Sequence, residues 1–190
     1  QGYVPDGMKL KYASPNDRDL VRLREEFKLD SVAGAGDEIS KINNLLHWVH
    51  EIVPHDGNSY NPKIKNTKAM IELCRKENRG VNCRMMAQML TEVYLAMGFK
   101  ARFVTCMPKD YVSDCHVITT VYSNTLDKWL WVDPTFDAYV MDENGTMLSI
   151  AEVRERLRED KPLQLNDYAN WNHKSKQTQE YYIDHYMAKN

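Results

Sequence analysis

The apolar residues of this chain change their spacing close to residue 100. Before Gly98 they recur at intervals of three and four residues, as in helices buried along one face. From Ala101 onward they alternate with polar residues or form short runs, as in strands. A block of helices followed by a block of strands predicts an α+β fold with an antiparallel sheet. The 190 residues show no internal repeat and no linker, so we expect one domain over residues 1–190.

Two of the predicted helices are long. One covers residues 37–53 and stops at Pro54, which cannot continue a helix. The other covers residues 83–97, with Asn82 as N-cap and Gly98 as C-cap, and its apolar stripe predicts a central, buried helix. Shorter helices are predicted after Ser14, after a cap at Thr67, over 151–159 and over 174–188, and a loop is predicted over 30–36.

The second half of the chain is read as strands. Strands are predicted at 101–107, 115–122 and 128–132, and a polar loop joins the last two as a hairpin. The pair Asn144-Gly145 between segments 139–141 and 146–148 predicts a second hairpin. The central helix is therefore expected to pack on an antiparallel sheet.

Charge and hydropathy exclude several classes of function. The net charge is −2 with no block of like charge, which argues against a nucleic-acid partner. No apolar run approaches the ~18 residues of a membrane span. The chain begins at Gln1, as a mature product does, so a secreted or periplasmic location after removal of a leader stays open. The sequence leaves the oligomeric state undetermined.

Four cysteines offer three kinds of chemistry: disulfides, a metal site or one reactive thiol. The chain has no C-x-x-C and no paired histidine spacing, so no metal and no other cofactor are expected. Cys106 and Cys115 could pair across neighbouring strands, although free thiols are favoured for both. Cys74 lies on an apolar helix face and is expected in the core. Position distinguishes only Cys83, which lies in the first turn of the central helix.

Cys83, His116 and Asp133 occupy places that suit a thiol nucleophile. A helix N-terminus stabilises a thiolate and offers N–H groups to an oxyanion. His116 begins the second strand and Asp133 follows the third, so pairing of these strands would bring both to one end of the hairpin. There the histidine could exchange a proton with the thiol, and the carboxylate could fix the imidazole tautomer.

Four sequence segments around these residues resemble the core of the transglutaminase-like superfamily, which belongs to the papain-like thiol enzymes. They are Gly80-Val81-Asn82-Cys83, the run from Gly98 to Arg102, Cys115-His116-Val117, and Trp129 to Thr135 with its Asp133-Pro134-Thr135 end, all within residues 80–135. The segment 47–58 also resembles the helix and loop that precede the core in some bacterial members.

The resemblance implies Cys83 as nucleophile, His116 as general base and acid, and Asp133 as the residue that orients His116. It implies a cysteine peptidase, amidase or acyl transferase that acts on a peptide, protein or other amide through an acyl-thioester. A catalytically silent binding or assembly module on the same fold is the alternative. Val117 and Ile118 stand where many members have an aromatic residue, which affects the expected substrate groove.

The donors to an oxyanion are only partly indicated. The backbone N–H of Cys83 is the expected first donor. Asn58, His55 and Trp48 are the candidates for a side-chain donor. His47 and His50 are expected to be ordinary surface or rim residues of their helix.

Overall fold

The structure is a computed structural model that describes residues 11–107 and 115–189. Its helices are α1 (Arg18–Glu26), α2 (Leu29–Ala33), α3 (Glu38–Ile52), α4 (Thr67–Glu77), α5 (Cys83–Ala96), α6 (Ile150–Arg158) and α7 (Gln179–His185), with a 3-10 turn at Met187–Lys189. Its strands are β1 (Ala101–Cys106), β2 (His116–Ser123), β3 (Lys128–Asp133), β4 (Ala138–Met141), β5 (Gln164–Leu165), β6 (Asn170–Trp171) and β7 (Ser175–Lys176). Among the helices of these residues, none combines the length and the apolar character needed to cross a bilayer.

Helix α5 is the centre of the fold, as its apolar pattern predicted. The side chain of Asn82 caps it by accepting the Met85 N–H at 3.1 Å. Most of its residues are fully buried, and the hydroxyl of Tyr94 donates to the carbonyl of Ile42 on α3 at 2.9 Å. After the helix, Gly98 takes the left-handed conformation (φ 85°) that allows the chain to turn into β1.

The main sheet is antiparallel, with strand order β1-β2-β3-β4-β5. One face covers the core formed with α1–α5, and the other covers a smaller core with α6 and α7. Cys106 pairs with His116 in the β1–β2 register, and Thr120 pairs with Trp131 in the β2–β3 register. The structure therefore has the predicted α+β arrangement of a Cys-bearing helix on an antiparallel sheet.

Two predictions for the helical half are wrong. The segment 30–36 is not all loop, because Leu29–Ala33 forms α2 and buries Leu29 and Ala33 against the core. The first of the two glycines that suggested a loop ends this helix instead, since Gly34 is its C-cap with a positive φ of 78°. The N-cap of α4 is Asn66 and not Thr67, and its side chain accepts the Ala69 N–H at 2.8 Å.

The C-terminal third departs further from prediction. Segment 146–148 does fold back on β4 as the Asn144-Gly145 pair predicted, with a bridge between Met141 and Met147 and a hydrogen bond from the Leu148 N–H to the Val140 carbonyl at 2.9 Å. It does not form a regular strand, however, and β5 is the strand that pairs with β4 on the side away from β3. The helix predicted over 174–188 begins later, at Gln179, after the hairpin formed by β6 and β7. The hairpin loop has three residues, 172–174, and the Lys174 N–H donates to the Trp171 carbonyl at 2.9 Å. Asn172 and His173 both have positive φ, as the two central residues of a type I′ turn do.

All four cysteines lie in the described residues, and none of them forms a disulfide. Cys74 is buried in the main core, as its position on an apolar helix face predicted. Burial raises the pKa of the Cys74 thiol. The alternative of a bridge between Cys106 and Cys115 is not realised in this structure.

Candidate active site

Cys83 is held at the start of α5 by a crossing of two chain segments. The carbonyl of Pro54 accepts the Val81 N–H at 3.0 Å, and the carbonyl of Val81 accepts the Asp56 N–H at 2.8 Å. Gly80 is required at this crossing, because a Cβ there would lie 2.5 Å from the Pro54 carbonyl oxygen. The crossing forms a short parallel bridge between His55 and Val81 and so fixes His55 beside the start of the helix.

The thiol of Cys83 has a lowered pKa. Partial burial opposes ionisation, but hydrogen bonds from the imidazoles of His116 and His55 and the charge of His116 outweigh burial. The backbone N–H of Val117 adds a further hydrogen bond to the sulfur. Together these groups lower the pKa of Cys83 to about 6, which makes the thiolate its main form at neutral pH.

His116 lies buried between Cys83 and Asp133. Its Nε2 is 2.7 Å from Oδ2 of Asp133, which leaves Nδ1 as the nitrogen that can exchange a proton with the thiol. Burial lowers the pKa of the imidazole, but the charge of Asp133, the hydrogen bond to Asp133 and the interaction with Cys83 raise it to about 9. Between pH 6 and pH 9, the pair is therefore a thiolate and an imidazolium.

Asp133 is fully buried and accepts three hydrogen bonds. Besides His116, the Tyr182 hydroxyl donates to Oδ2 at 2.6 Å and the Thr135 N–H donates to Oδ1 at 3.0 Å. The Tyr182 oxygen in turn accepts the indole N–H of Trp131 at 3.0 Å. These donors keep the carboxylate in a fixed orientation and offset the cost of burying its charge.

Sequence reasoning missed Tyr182 because it lies 49 residues beyond Asp133 in the chain. The one available signal was that the helix predicted over 174–188 contains three tyrosines. Helix α7 also brings the Tyr186 ring to 4.7 Å from the His116 ring, and Phe136 lies 5.8 Å from it on another side. Aromatic rings therefore shield the imidazole from water.

His55 has a defined tautomer. The indole N–H of Trp171 donates to Nδ1 of His55 at 3.0 Å, and since an indole nitrogen can only donate, this Nδ1 carries no proton. A neutral His55 is therefore protonated at Nε2. Asn172 holds the His55 backbone on both sides, by accepting its N–H at 2.8 Å and donating to its carbonyl at 2.9 Å. The β6–β7 hairpin thus sets both the position and the tautomer of His55.

The other two candidate donors lie elsewhere. Trp48 is part of α3 and packs its ring 5.5 Å from that of Phe27, against the main core. Asn58 is exposed in a turn where its backbone N–H donates to Asp56 at 3.0 Å. Among the contacts of the described residues, neither side chain reaches Cys83, and His55 is the candidate that the fold brings to the thiol.

The expectation that His47 and His50 are ordinary surface or rim residues is wrong for His50 and correct for the exposure of His47. His50 is buried, and its two ring nitrogens lie 3.0 Å from the Pro134 carbonyl and 3.1 Å from Oδ1 of Asn170. His47 has an exposed ring, but its Nδ1 lies 2.6 Å from the buried carboxylate of Asp137. Helix α3 is thereby fastened to the chain that follows Asp133. Within the described residues, His50 also belongs to a group with metal-ligand geometry, together with Glu51 and His173.

A solvent-open cavity of about 410 Å³ lies next to the residues that contact Cys83 and His116. It is lined by His55, Phe136, Trp171, Ser175, Lys176, Gln177, Thr178, Tyr181 and Tyr186. Its walls come from the β6–β7 hairpin and α7. They are completed by His55, which lies beside the thiol, and by Phe136, which lies beside the imidazole. His55 and several aromatic residues therefore form part of its lining.

Comparison with known proteins agrees with this architecture. A family model described as the transglutaminase-like superfamily matches residues 25–134, which is more than half of the chain. The chain belongs to the transglutaminase-like superfamily. Cys83, His116 and Asp133 all lie within the matched residues of this transglutaminase-like chain, whereas Trp171 and Tyr182 lie beyond them.

Among solved structures, the chain is similar to a protein from Cytophaga hutchinsonii that is provisionally named a cysteine protease. The two share 18% sequence identity with a TM-score of 0.48. The similarity covers 68% of this chain and 42% of the other, so this chain spans less than half the length of that protein. None of the curated proteins matches the chain.

Proposed function

We propose that this transglutaminase-like chain is a thiol enzyme that cleaves or transfers the acyl group of an amide in a peptide or protein. Cys83 is the nucleophile, His116 the general acid and base, and Asp133 the residue that orients His116. One observation carries the proposal: the Cys83 thiol interacts with a buried imidazole whose other nitrogen lies 2.7 Å from a buried carboxylate. This arrangement generates a nucleophile at neutral pH.

In the acylation step, the Cys83 sulfur attacks the amide carbonyl carbon and its electron pair forms the new C–S bond. The carbonyl π electrons move to oxygen, which gives a tetrahedral oxyanion. When this oxyanion collapses, the C–N bond breaks and the amine leaves with a proton from Nδ1 of His116. The product is an acyl-thioester on Cys83 and a neutral imidazole held by Asp133.

Two N–H groups are placed to stabilise the oxyanion. The first is the backbone N–H of Cys83, at a helix N-terminus where it has no partner within the helix. The second is Nε2–H of His55, which Trp171 fixes as the protonated nitrogen by donating to Nδ1 at 3.0 Å. His55 already donates a hydrogen bond to the thiolate sulfur, so a small shift suffices for it to reach the adjacent oxygen.

In the second step, His116 removes a proton from water or an amine as that molecule attacks the thioester carbon. The C–S bond then breaks and the thiolate and imidazolium return. Hydrolysis is favoured over amine transfer because the cavity is open to solvent, which supplies water at far higher concentration than any amine.

The proposal is tested by looking for the acyl-enzyme. The chain is incubated with a library of peptides blocked at both ends, quenched in acid and examined by intact-mass spectrometry. We expect new peptide carboxyl termini and a mass increase located on Cys83. Both signals should vanish in Cys83→Ser and persist in Cys115→Ser, which removes a second partly exposed thiol.

A different result would contradict the proposal. Peptides that bind without a mass increase or cleavage in the unmodified chain would favour the catalytically silent module. Turnover that survives Cys83→Ser would place the chemistry elsewhere.

A further inference from the structure

A second cluster of titratable side chains lies on the far side of the β6–β7 hairpin. His50 and Glu51 come from the last turn of α3, and His173 comes from the hairpin turn. One ligand atom from each of these residues lies within 4.8 Å of the other two. Nε2 of His173 is already 2.5 Å from Oε1 of Glu51. The three residues thus converge from two separate parts of the chain.

The contacts of His50 point to a positive centre in this cluster. Its Nδ1 faces the Pro134 carbonyl at 3.0 Å and must therefore carry a proton. Its Nε2 faces Oδ1 of Asn170 at 3.1 Å. The Asn170 amide is oriented unambiguously, because Oδ1 accepts the His173 N–H at 2.8 Å and Nδ2 donates to the Tyr168 carbonyl at 3.1 Å. In a neutral His50, the lone pair of Nε2 would thus face a lone pair of the Asn170 Oδ1 atom.

A metal cation or an additional proton would resolve this contact, and the surroundings favour the metal. Histidines that bind metal commonly donate their other ring N–H to a backbone carbonyl, as His50 does to Pro134. Glu51 provides a negative oxygen, and buried Asp137 interacts electrostatically with both Glu51 and His50. One oxygen of Asp137 is buried without a hydrogen-bond partner, while the other faces Nδ1 of His47 at 2.6 Å.

We propose that His50, Glu51 and His173 bind a divalent transition-metal ion, with Zn²⁺ as the best match. Two imidazole nitrogens and a carboxylate oxygen form a ligand set typical of zinc, and a fourth position remains for water or the nearby Asn170 oxygen. The ion would join α3 to the β6–β7 hairpin at His173, two residues after Trp171. It therefore holds the indole against His55 from outside the thiol site, as a positioning element. The binding itself does not depend on the proposed function.

The test measures Zn²⁺ binding by titration calorimetry in a Cys83→Ser background. That substitution is needed because zinc would also bind the thiolate beside His116 and His55. We expect one ion per chain, with tenfold or greater loss of affinity in His173→Asn and in Glu51→Gln. Co²⁺ as a spectroscopic probe should give the intense visible bands of a tetrahedral site, and these should disappear in the same variants.

Both variants are chosen to leave the fold intact. Asn tolerates the positive φ of 56° at position 173, and Gln keeps the shape of Glu51. His185→Asn is the matched control, because it removes another exposed histidine outside the cluster. Unchanged Zn²⁺ binding is expected there, and thermal unfolding without metal should be alike in all the variants.

Two outcomes would overturn the proposal. One is a chain that binds no Zn²⁺ and no Co²⁺, with His50 resonances in NMR spectra that show an imidazolium, since a proton would then occupy the contact. The other is binding of equal strength in His173→Asn and Glu51→Gln, since the ion would then lie elsewhere.

Discussion

The sharpest test of the thiol site is the substitution Asp133→Asn, read out on the ionisation of Cys83. Asparagine keeps the shape of the side chain, and its oxygen can still accept the Thr135 N–H, while its NH2 group takes the place of the oxygen that faces Tyr182 and His116. It removes the negative charge that is the largest of the influences raising the pKa of His116. Burial, which lowers that pKa, stays unchanged.

The magnitude follows from the coupling between the two groups. A fall in the pKa of Cys83 from 9.0 to about 6 corresponds to about 4 kcal/mol in favour of the thiolate, at about 1.4 kcal/mol per tenfold change. Much of this lowering of the Cys83 pKa depends on a charged His116, so a neutral His116 returns that pKa most of the way to its ordinary value. At pH 7 the thiolate fraction, and with it the alkylation rate, should fall about ten- to a hundredfold.

The assay is the rate of iodoacetamide alkylation at Cys83 between pH 5 and pH 10, followed by peptide mass spectrometry, with Cys115 as internal reference. In the unmodified chain the rate should rise with a midpoint near pH 6. In Asp133→Asn the midpoint should lie well above pH 7, and the two rates should converge at the highest pH. Superimposable profiles, or a midpoint near pH 9 in the unmodified chain, would refute the thiolate–imidazolium pair.

Three further predictions concern the same network. Turnover of an amide substrate should be bell-shaped in pH, rising as Cys83 ionises near 6 and falling as His116 loses its proton near 9; a plateau at high pH would contradict this. Trp171→Phe should lower kcat about tenfold with little change in KM, which is a smaller loss than the about 10²–10³-fold expected for His55→Ala. A kcat of Trp171→Phe equal to that of the unmodified chain would argue against control of the His55 tautomer by Trp171. Tyr182→Phe should lower the free energy of unfolding in urea by about 1–3 kcal/mol, since a buried carboxylate loses a donor, and an unchanged midpoint would argue against that hydrogen bond.

The sequence predicted the elements whose local signals agree with their tertiary surroundings. Helix α5 combines a cap at Asn82, an uninterrupted apolar pattern and Gly98 at its end, and the structure has all three. Helix α2 was missed because five residues are too few for periodicity to be visible beside two glycines. The β6–β7 hairpin was missed because its strands have two residues each and are stabilised by contacts with distant residues.

The same reasoning explains how much of the candidate site could be predicted. Cys83, His116 and Asp133 begin or end regular elements, and strand pairing alone suffices to bring the last two together. The partners that define their chemistry have no such local signal. Trp171 lies 116 residues after His55, and His173 lies 122 residues after Glu51. Only side-chain contacts within the folded chain reveal those pairs.

The residues that the family model matches differ in their role from the residues that follow them. The residues shared with the transglutaminase-like superfamily, 25–134, contain the thiol, the imidazole and the carboxylate. Two groups that support this site come from the C-terminal third: Tyr182 donates to Asp133, and Trp171 donates to His55 beside the thiol. That same third also lines the cavity into which a substrate would enter. In the proposed thiol enzyme, changes in β6, β7 and α7 would therefore alter both the choice of substrate and the reactivity of the thiol while the shared core stays the same.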